Sequence, residues 1–236
     1  MTKLDETKTK IFAIEILKLF KQEYSYKELS SFINLPTPVL SRYINGHVLP
    51  SQNRAKEIIE KFKKRYLIDI VMRKIKFEDS GTFDHTNLIS NPDLLEKIAK
   101  VVFQDFNFVK VNKVLCVESD GIPLAIQVGK EFGVNMIVAK RRKEMGVEDF
   151  VEVKRVYLTG TYSYLYIPKG AIKKREFVLL VDDVIRTGST MEAMIDICKK
   201  VGANVAGVFT IISVGDSIAK LKKKLTCPVK SLIEVS

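Results

Sequence analysis

The sequence predicts an α/β chain: a doubly wound parallel sheet preceded by a small all-α domain. Three observations carry this. Beyond residue 85, short apolar runs alternate with stretches of helical period. The run Phe177–Val181 is uncharged and made of bulky or β-branched residues, the pattern of a strand buried on both faces. Residues 1–76 carry only helical periodicities punctuated by capping signals.

The first helix is expected over 8–21, where Ile11, Phe12, Ile14, Ile16, Leu17, Leu19 and Phe20 make a broad apolar stripe. Ser25 caps a second helix, with Glu28 as its capping-box partner. After the turn Asn34-Leu35-Pro36, Thr37 is the expected N-cap of a third helix with Pro38 at its first position, and Gly46 stops it. Ser51 caps a long fourth helix running to about Lys76, and FEDSGTFDHT breaks the pattern. The expected domains are 1–76 and 77–236.

Two short helices joined by a tight turn make a helix-turn-helix. The segment YSYKELSSFINLPTPVLSRYINGHVLPSQNRAKEI resembles the DNA-binding domain of the Cro and lambda-repressor superfamily. The resemblance implies a recognition helix exposing Thr37, Ser41, Arg42 and Asn45, with Arg42 suited to a bidentate contact with guanine. It places Ser25, Lys27 and His47 near phosphates. Charge agrees: residues 1–76 hold sixteen Lys or Arg against eight Asp or Glu, so most of the chain's net +11 lies in its first third.

In the remainder, Pro92 opens an amphipathic helix. Lys113–Val117 reads as the first parallel strand, followed by the loop Glu118-Ser119-Asp120-Gly121 and a helix over 122–132. Asn135–Ala139 is the second strand, and the basic cluster Lys140-Arg141-Arg142-Lys143 stands at its end. Residues 151–168 alternate around Gly160 as a β-hairpin. Then come the strand 177–181, a helix over 189–201 ended by Gly202, a strand over 204–213, a basic helix over 217–225 and a last strand over 229–235.

The chemistry concentrates in FVLLVDDVIRTGST, residues 177–190. A loop of small polar residues entering a helix N-terminus points backbone N–H groups at a phosphate. Two adjacent carboxylates at a strand end can accept hydrogen bonds from vicinal hydroxyls. Together they describe a site for a ribose 5-phosphate. This stretch is similar to the signature of type I phosphoribosyltransferases, which binds 5-phosphoribosyl 1-pyrophosphate (PRPP). The resemblance implies the type I phosphoribosyltransferase fold, with Asp182, Asp183, Ile185, Arg186, Thr187, Gly188, Ser189 and Thr190 around the ribose phosphate. It also implies that Ser119, Asp120 and Gly121 wrap the pyrophosphate, often through a non-proline cis peptide, and that Arg142 and Lys143 meet its oxygens. Mg²⁺ is expected only as carried by PRPP, with no metal held by the protein itself.

Two departures from the family bear on activity. Asp120 stands where a basic residue is frequent, and Gly146 occupies the position of the catalytic Lys of orotate phosphoribosyltransferases, with Lys154 and Arg155 the candidates to substitute for it. With the helix-turn-helix upstream, the expectation is a transcription regulator rather than an enzyme. It resembles the bacterial purine repressor and archaeal orotate-phosphoribosyltransferase-like regulators. PRPP or a related nucleotide would be the effector, acting on a homodimer or higher even oligomer that reads a palindromic operator in double-stranded DNA. The alternative is an active purine or orotate phosphoribosyltransferase with a nucleic-acid-binding head.

Composition narrows the rest. No run approaches the ~20 apolar residues needed to span a bilayer, and MTKLDETKTK lacks the apolar core of a signal peptide, so a cytoplasmic protein is expected. Cys116, Cys198 and Cys227 are far apart in apolar contexts and read as buried thiols. The only histidines are His47 and His85, which argues against a histidine-based metal or nucleophile-activating site.

Overall fold

The computed structural model describes residues 2–78, 82–157 and 159–235. The chain divides into two compact units, Met1–Arg73 and Lys74–Ser236. Among the described residues, no helix is long and apolar enough to cross a membrane.

The first unit is helical: α1 (Lys3–Glu23), α2 (Tyr26–Ile33), α3 (Thr37–Ile44), α4 (Gln52–Phe62) and α5 (Ile68–Arg73). Its core is Ile16, Leu17, Phe20, Leu29, Leu40, Ile58 and Phe62, all nearly inaccessible. Helix α1 starts five residues earlier than the expected 8–21 because Thr2 and Asp5 form a capping box. The Ser25–Glu28 box is formed as the sequence indicates. Helix α3 begins one residue early: Thr37 is its first residue, not its cap, because the carbonyl of Pro36 already accepts the Leu40 N–H at 3.1 Å. The expected continuous fourth helix is interrupted by a π-helical turn over Lys63–Leu67.

The second unit holds a five-stranded parallel sheet: β3 (Lys113–Val117), β4 (Asn135–Ala139), β7 (Phe177–Ile185), β8 (Asn204–Val214) and β9 (Val229–Val235), in the order β4-β3-β7-β8-β9. The crossovers are α8 (Ile122–Phe132), α9 (Ser189–Val201) and α10 (Ser217–Lys224), and α7 (Pro92–Phe106) precedes β3. A hairpin of β5 (Phe150–Val156) and β6 (Tyr162–Pro168) separates β4 from β7. A small ribbon, β1 (Lys76–Phe77) with β2 (Phe83–Asp84), leads into a one-turn helix α6 (Thr86–Ile89). This is the doubly wound α/β class that the sequence predicts.

Strand β7 is buried along nearly its whole length, as its apolar run requires. It continues four residues past Val181, so both carboxylates stand on the strand, with register kept to β8. Leu115, Val117, Leu180 and Val208 face a core shared with α9, α10 and the hairpin. Side chains of opposite parity face α7 and α8; there the rings of Phe106 and Phe209 meet edge-on at 6.5 Å. Gly207 permits that approach, since a Cβ there would lie 2.4 Å from the Phe106 ring.

The strand order locates the site. From β3 the chain crosses to β4 on one side and later returns to β7 on the other. Neighbouring loops therefore leave in opposite directions at the carboxyl ends of β3 and β7, opening a crevice at this switch point.

Candidate functional site

A pocket of ≈ 290 Å³ occupies that crevice. Three segments build it: the β3–α8 loop with Glu118, Ser119, Asp120 and Gly121; the end of β7 with Asp182, Asp183 and Ile185; and the turn Arg186-Thr187-Gly188 entering α9. Arg141, Arg155 and His85 complete the wall.

The turn takes its form from Gly188, which caps α9 at φ +85°, a conformation that disfavours any side chain. It leaves the first N–H groups of α9 facing the pocket at the positive end of the helix dipole. Across the crevice, the peptide between Glu118 and Ser119 is cis, as the family resemblance implies. Gly121 lies so close to β7 that a Cβ would come 2.7 Å from the Asp182 Oδ1.

The carboxylates differ in their surroundings. Asp182 is held well above the usual carboxylate range, first by burial and then by the adjacent charge of Asp183, with Arg155 opposing. Asp183 is tied in place: its carbonyl accepts from the Thr210 hydroxyl at 3.0 Å, and its Oδ2 lies 2.5 Å from His85 Nε2. Burial pushes the Cys116 thiol behind them up to about 12, which leaves it protonated and inert.

Positive charge comes from three arginines. The backbone N–H of Arg141 donates to Glu118 Oε1 at 2.6 Å, fixing the end of β4 against the β3 loop. Arg155 extends from β5, half-buried, with its Nε donating to Ser189 Oγ at 3.3 Å and its guanidinium over the Tyr157 ring. Arg186 stacks on Phe83, 4.3 Å from the ring centre.

Of the residues named from the sequence, Ser119, Asp120, Gly121, Asp182, Asp183, Ile185, Arg186, Thr187, Gly188 and Thr190 line this pocket. Ser189 supports it from behind through Arg155. Arg142 and Lys143 do not line it. Lys143 instead lies 3.5 Å from Glu152 and over the Tyr166 ring, and its neighbour Arg141 takes the place on the pocket wall. Three further residues of the wall, Arg141, Arg155 and His85, lie outside the site that the sequence delimits. Arg155 could have been read from alternation, because Val151, Val153, Arg155 and Tyr157 share one face of β5. Arg141 is set by the end of β4, which no sequence pattern resolves to one residue. His85 carried no signal: the sequence argued only against a histidine-based metal or nucleophile-activating site, and the structure places His85 in the pocket wall.

His85, Asp120 and Asp183 bring their donor atoms within 4.8 Å of one another. Two ligands at right angles on a Mg²⁺ with bonds of 2.0–2.1 Å stand about 3 Å apart. The 2.5 Å between His85 Nε2 and Asp183 Oδ2 is therefore a hydrogen bond and not a pair of ligands awaiting an ion.

The residues assigned to nucleic acid lie on the first unit. Lys27, Thr37, Arg42, Asn45 and His47 are exposed, and Ser41 is half-buried beneath the Asn45 amide, which donates to its hydroxyl at 3.2 Å. Ser25 is engaged in capping α2.

Residues 84–235 match the phosphoribosyl transferase domain family. A hypoxanthine/guanine phosphoribosyltransferase of Methanobacterium lacus is 33% identical over 147 residues, covering 62% of this chain and 74% of that protein. A xanthine phosphoribosyltransferase of Finegoldia magna is 30% identical over 128 residues, covering 53% and 67%. The adenine phosphoribosyltransferase structure from Thermoanaerobacter pseudethanolicus superposes with a TM-score of 0.63 at 18% identity, covering 71% of this chain and 99% of that one, a likeness of fold.

These findings overturn the expectation of a transcription regulator. The relatives named here carry the names of purine phosphoribosyltransferases, not of regulators. The palindromic operator and the DNA-contacting roles of Ser25, Lys27, Thr37, Ser41, Arg42, Asn45 and His47 are withdrawn with it. The physical premise of the earlier reading also changes. Gly146 lacks a side chain to meet a leaving pyrophosphate, but Arg155 brings a guanidinium to the same pocket from the hairpin. An acid pair, a phosphate turn and a cis-peptide loop meet at the switch point of this sheet, and residues 84–235 fit the family model: the chain belongs to the phosphoribosyl transferase domain family.

Proposed function

We propose that the chain is an active purine phosphoribosyltransferase, joining a ring nitrogen of a purine to C1 of PRPP with release of pyrophosphate. The observation that carries this is the convergence of the acid pair, the Thr187–Thr190 turn and three arginines on one crevice. The names of the sequence relatives favour a purine over orotate.

In this reading Asp182 and Asp183 accept hydrogen bonds from the ribose hydroxyls. Binding a diol suits a buried pair, because two hydroxyl donors offset the desolvation of the carboxylates. Backbone N–H groups of residues 187–190 hold the 5-phosphate. Ser119, Asp120 and Gly121 present their backbone to the pyrophosphate, while Arg141 and Arg155 face the charge that grows as it departs. Mg²⁺ carried by PRPP would supply neutralisation of part of that charge. Asp120, an exposed acid on the pyrophosphate side, fits a diphosphate that arrives with its charge so masked.

The test is a turnover assay on the full chain with PRPP, Mg²⁺ and hypoxanthine, guanine, xanthine, adenine or orotate. Pyrophosphate release dependent on one or more purines is expected. A chain that binds PRPP but releases pyrophosphate with none of them refutes the reading.

A further inference from the structure

A purine forming its bond to ribose must lose the proton on the attacking nitrogen, so a transferase gains from a base near C1. The ribose hydroxyls sit on carbons next to and one beyond C1. A group bonded to the carboxylate that holds them therefore stands within a few ångströms of the reaction, and His85 is such a group. Its Nε2 pairs with Asp183 Oδ2 at 2.5 Å, and its ring lines the pocket.

The acids of the pocket have other work. Asp182 and Asp183 take the diol, Glu118 holds the Arg141 N–H, and Asp120 accepts from the Ser119 hydroxyl at 2.7 Å on the pyrophosphate side. Asp183 can serve both partners, since Oδ2 receives the imidazole and Oδ1 remains for a hydroxyl. Because Nε2–H donates to a carboxylate, Nδ1 carries the lone pair, and it has no hydrogen-bond partner among the described residues.

The turn that bears His85 is well anchored. Asp84 accepts the Thr86 N–H at 2.8 Å, and the buried Phe83 ring meets the imidazole edge-on at 5.8 Å. Three charged groups face the ring: Asp183 on β7, Asp120 on the β3–α8 loop and Arg186 on the phosphate turn. The bond to Asp183 raises the imidazole above its ordinary value; burial and Arg186 pull the other way.

We propose that His85 is the general base of the transfer, a role that rests on the purine reading above. The purine N–H bond breaks and its proton passes to His85 Nδ1. The freed electron pair forms the bond to C1, and the C1–O bond breaks with its pair leaving on pyrophosphate. Asp183 stabilises the imidazolium until the proton passes to solvent, which returns the site to its starting state.

The experiment compares the wild-type chain with His85→Gln and His85→Gly. Each is assayed for PRPP affinity by calorimetry and for purine transfer from about pH 5 to pH 9, with and without added imidazole. Gln keeps an N–H donor for Asp183 but cannot take a proton. The wild type is expected to lose kcat along an acid limb as His85 is protonated. His85→Gln should bind PRPP within a few-fold of wild type, lose about 10²-fold or more in kcat, and show no acid limb. Imidazole should restore part of the activity of His85→Gly, which filling a structural gap alone would not do in a pH-dependent manner. A His85→Gln chain with kcat within threefold of wild type and the same acid limb overturns the proposal. So does loss of PRPP binding without loss of kcat at saturation. A wild-type chain that binds PRPP yet transfers it to no purine refutes the functional reading itself and the proposal with it.

Discussion

On the proposed transferase reading, Arg155 offers the sharpest check on how the site would stabilise a leaving group. Two adjacent residues of β5 carry cations, and strand alternation sends them to opposite faces. Lys154 is exposed, with its ammonium 4.0 Å from the Tyr162 ring centre. Arg155 is half-buried in the pocket wall, held by Ser189 and Tyr157. A unit charge about 4 Å from a pyrophosphate oxygen is worth ~4 kcal/mol at an effective dielectric of 20. Arg155 remains partly open to solvent, so this is reduced to roughly 2–3 kcal/mol of transition-state stabilisation, similar to the loss of one oxyanion donor. Arg155→Met should therefore lower kcat about 30- to 150-fold at saturating PRPP, at 1.36 kcal/mol per tenfold. Lys154→Met should stay within about twofold. Steady-state kinetics with PRPP and the accepted purine, varying each in turn, separates kcat from KM. If Lys154→Met costs as much as Arg155→Met, or if Arg155→Met changes only KM, the assignment of the guanidinium to the departing charge is wrong.

Three further substitutions follow from the same geometry. Gly121→Ala forces a Cβ to within 2.7 Å of Asp182 Oδ1 and should weaken PRPP binding about tenfold or more, read by calorimetry; unchanged affinity would show that the β3 loop has slack. Asp182 keeps its proton to a higher pH than in the unfolded chain, so it contributes stability at low pH that falls as pH rises from about 3.8 through its folded pKa. Asp182→Asn should therefore raise the melting temperature at pH 8 more than at about pH 4 while abolishing PRPP binding; a lowered melting temperature at pH 8 would contradict the burial argument. Gly207→Ala places a methyl 2.4 Å from the Phe106 ring and 3.1 Å from the Pro228 carbonyl, and should cost about 1–3 kcal/mol in urea unfolding. A loss below 0.5 kcal/mol would mean that α7 is free to shift.

Residues 177–190 were legible because their roles are local. An uncharged run makes a buried strand, and a Gly-containing polar turn makes a helix N-terminus, whatever surrounds them. The strands at 113–117, 135–139 and 229–235 were read at their full extent for the same reason. The ribbon and one-turn helix before α7 were not, because two-residue strands and a single turn are too short to show a period. Functional weight was misjudged where a role depends on distance through space. Gly146 left the cation open between Lys154 and Arg155, and the structure places Arg155 in the pocket wall.

By itself, then, the sequence determined the α/β class and the standing of the acid pair and the polar turn between strand and helix, all set by neighbours within a few residues. Only the tertiary structure decided which cations reach the pocket and that His85 stands on Asp183. Those two residues lie ninety-eight positions apart and meet only through the fold, which brings the turn after β2 to the end of β7. Periodicity reports which face of its own element a side chain occupies; it carries no information about what another element places opposite.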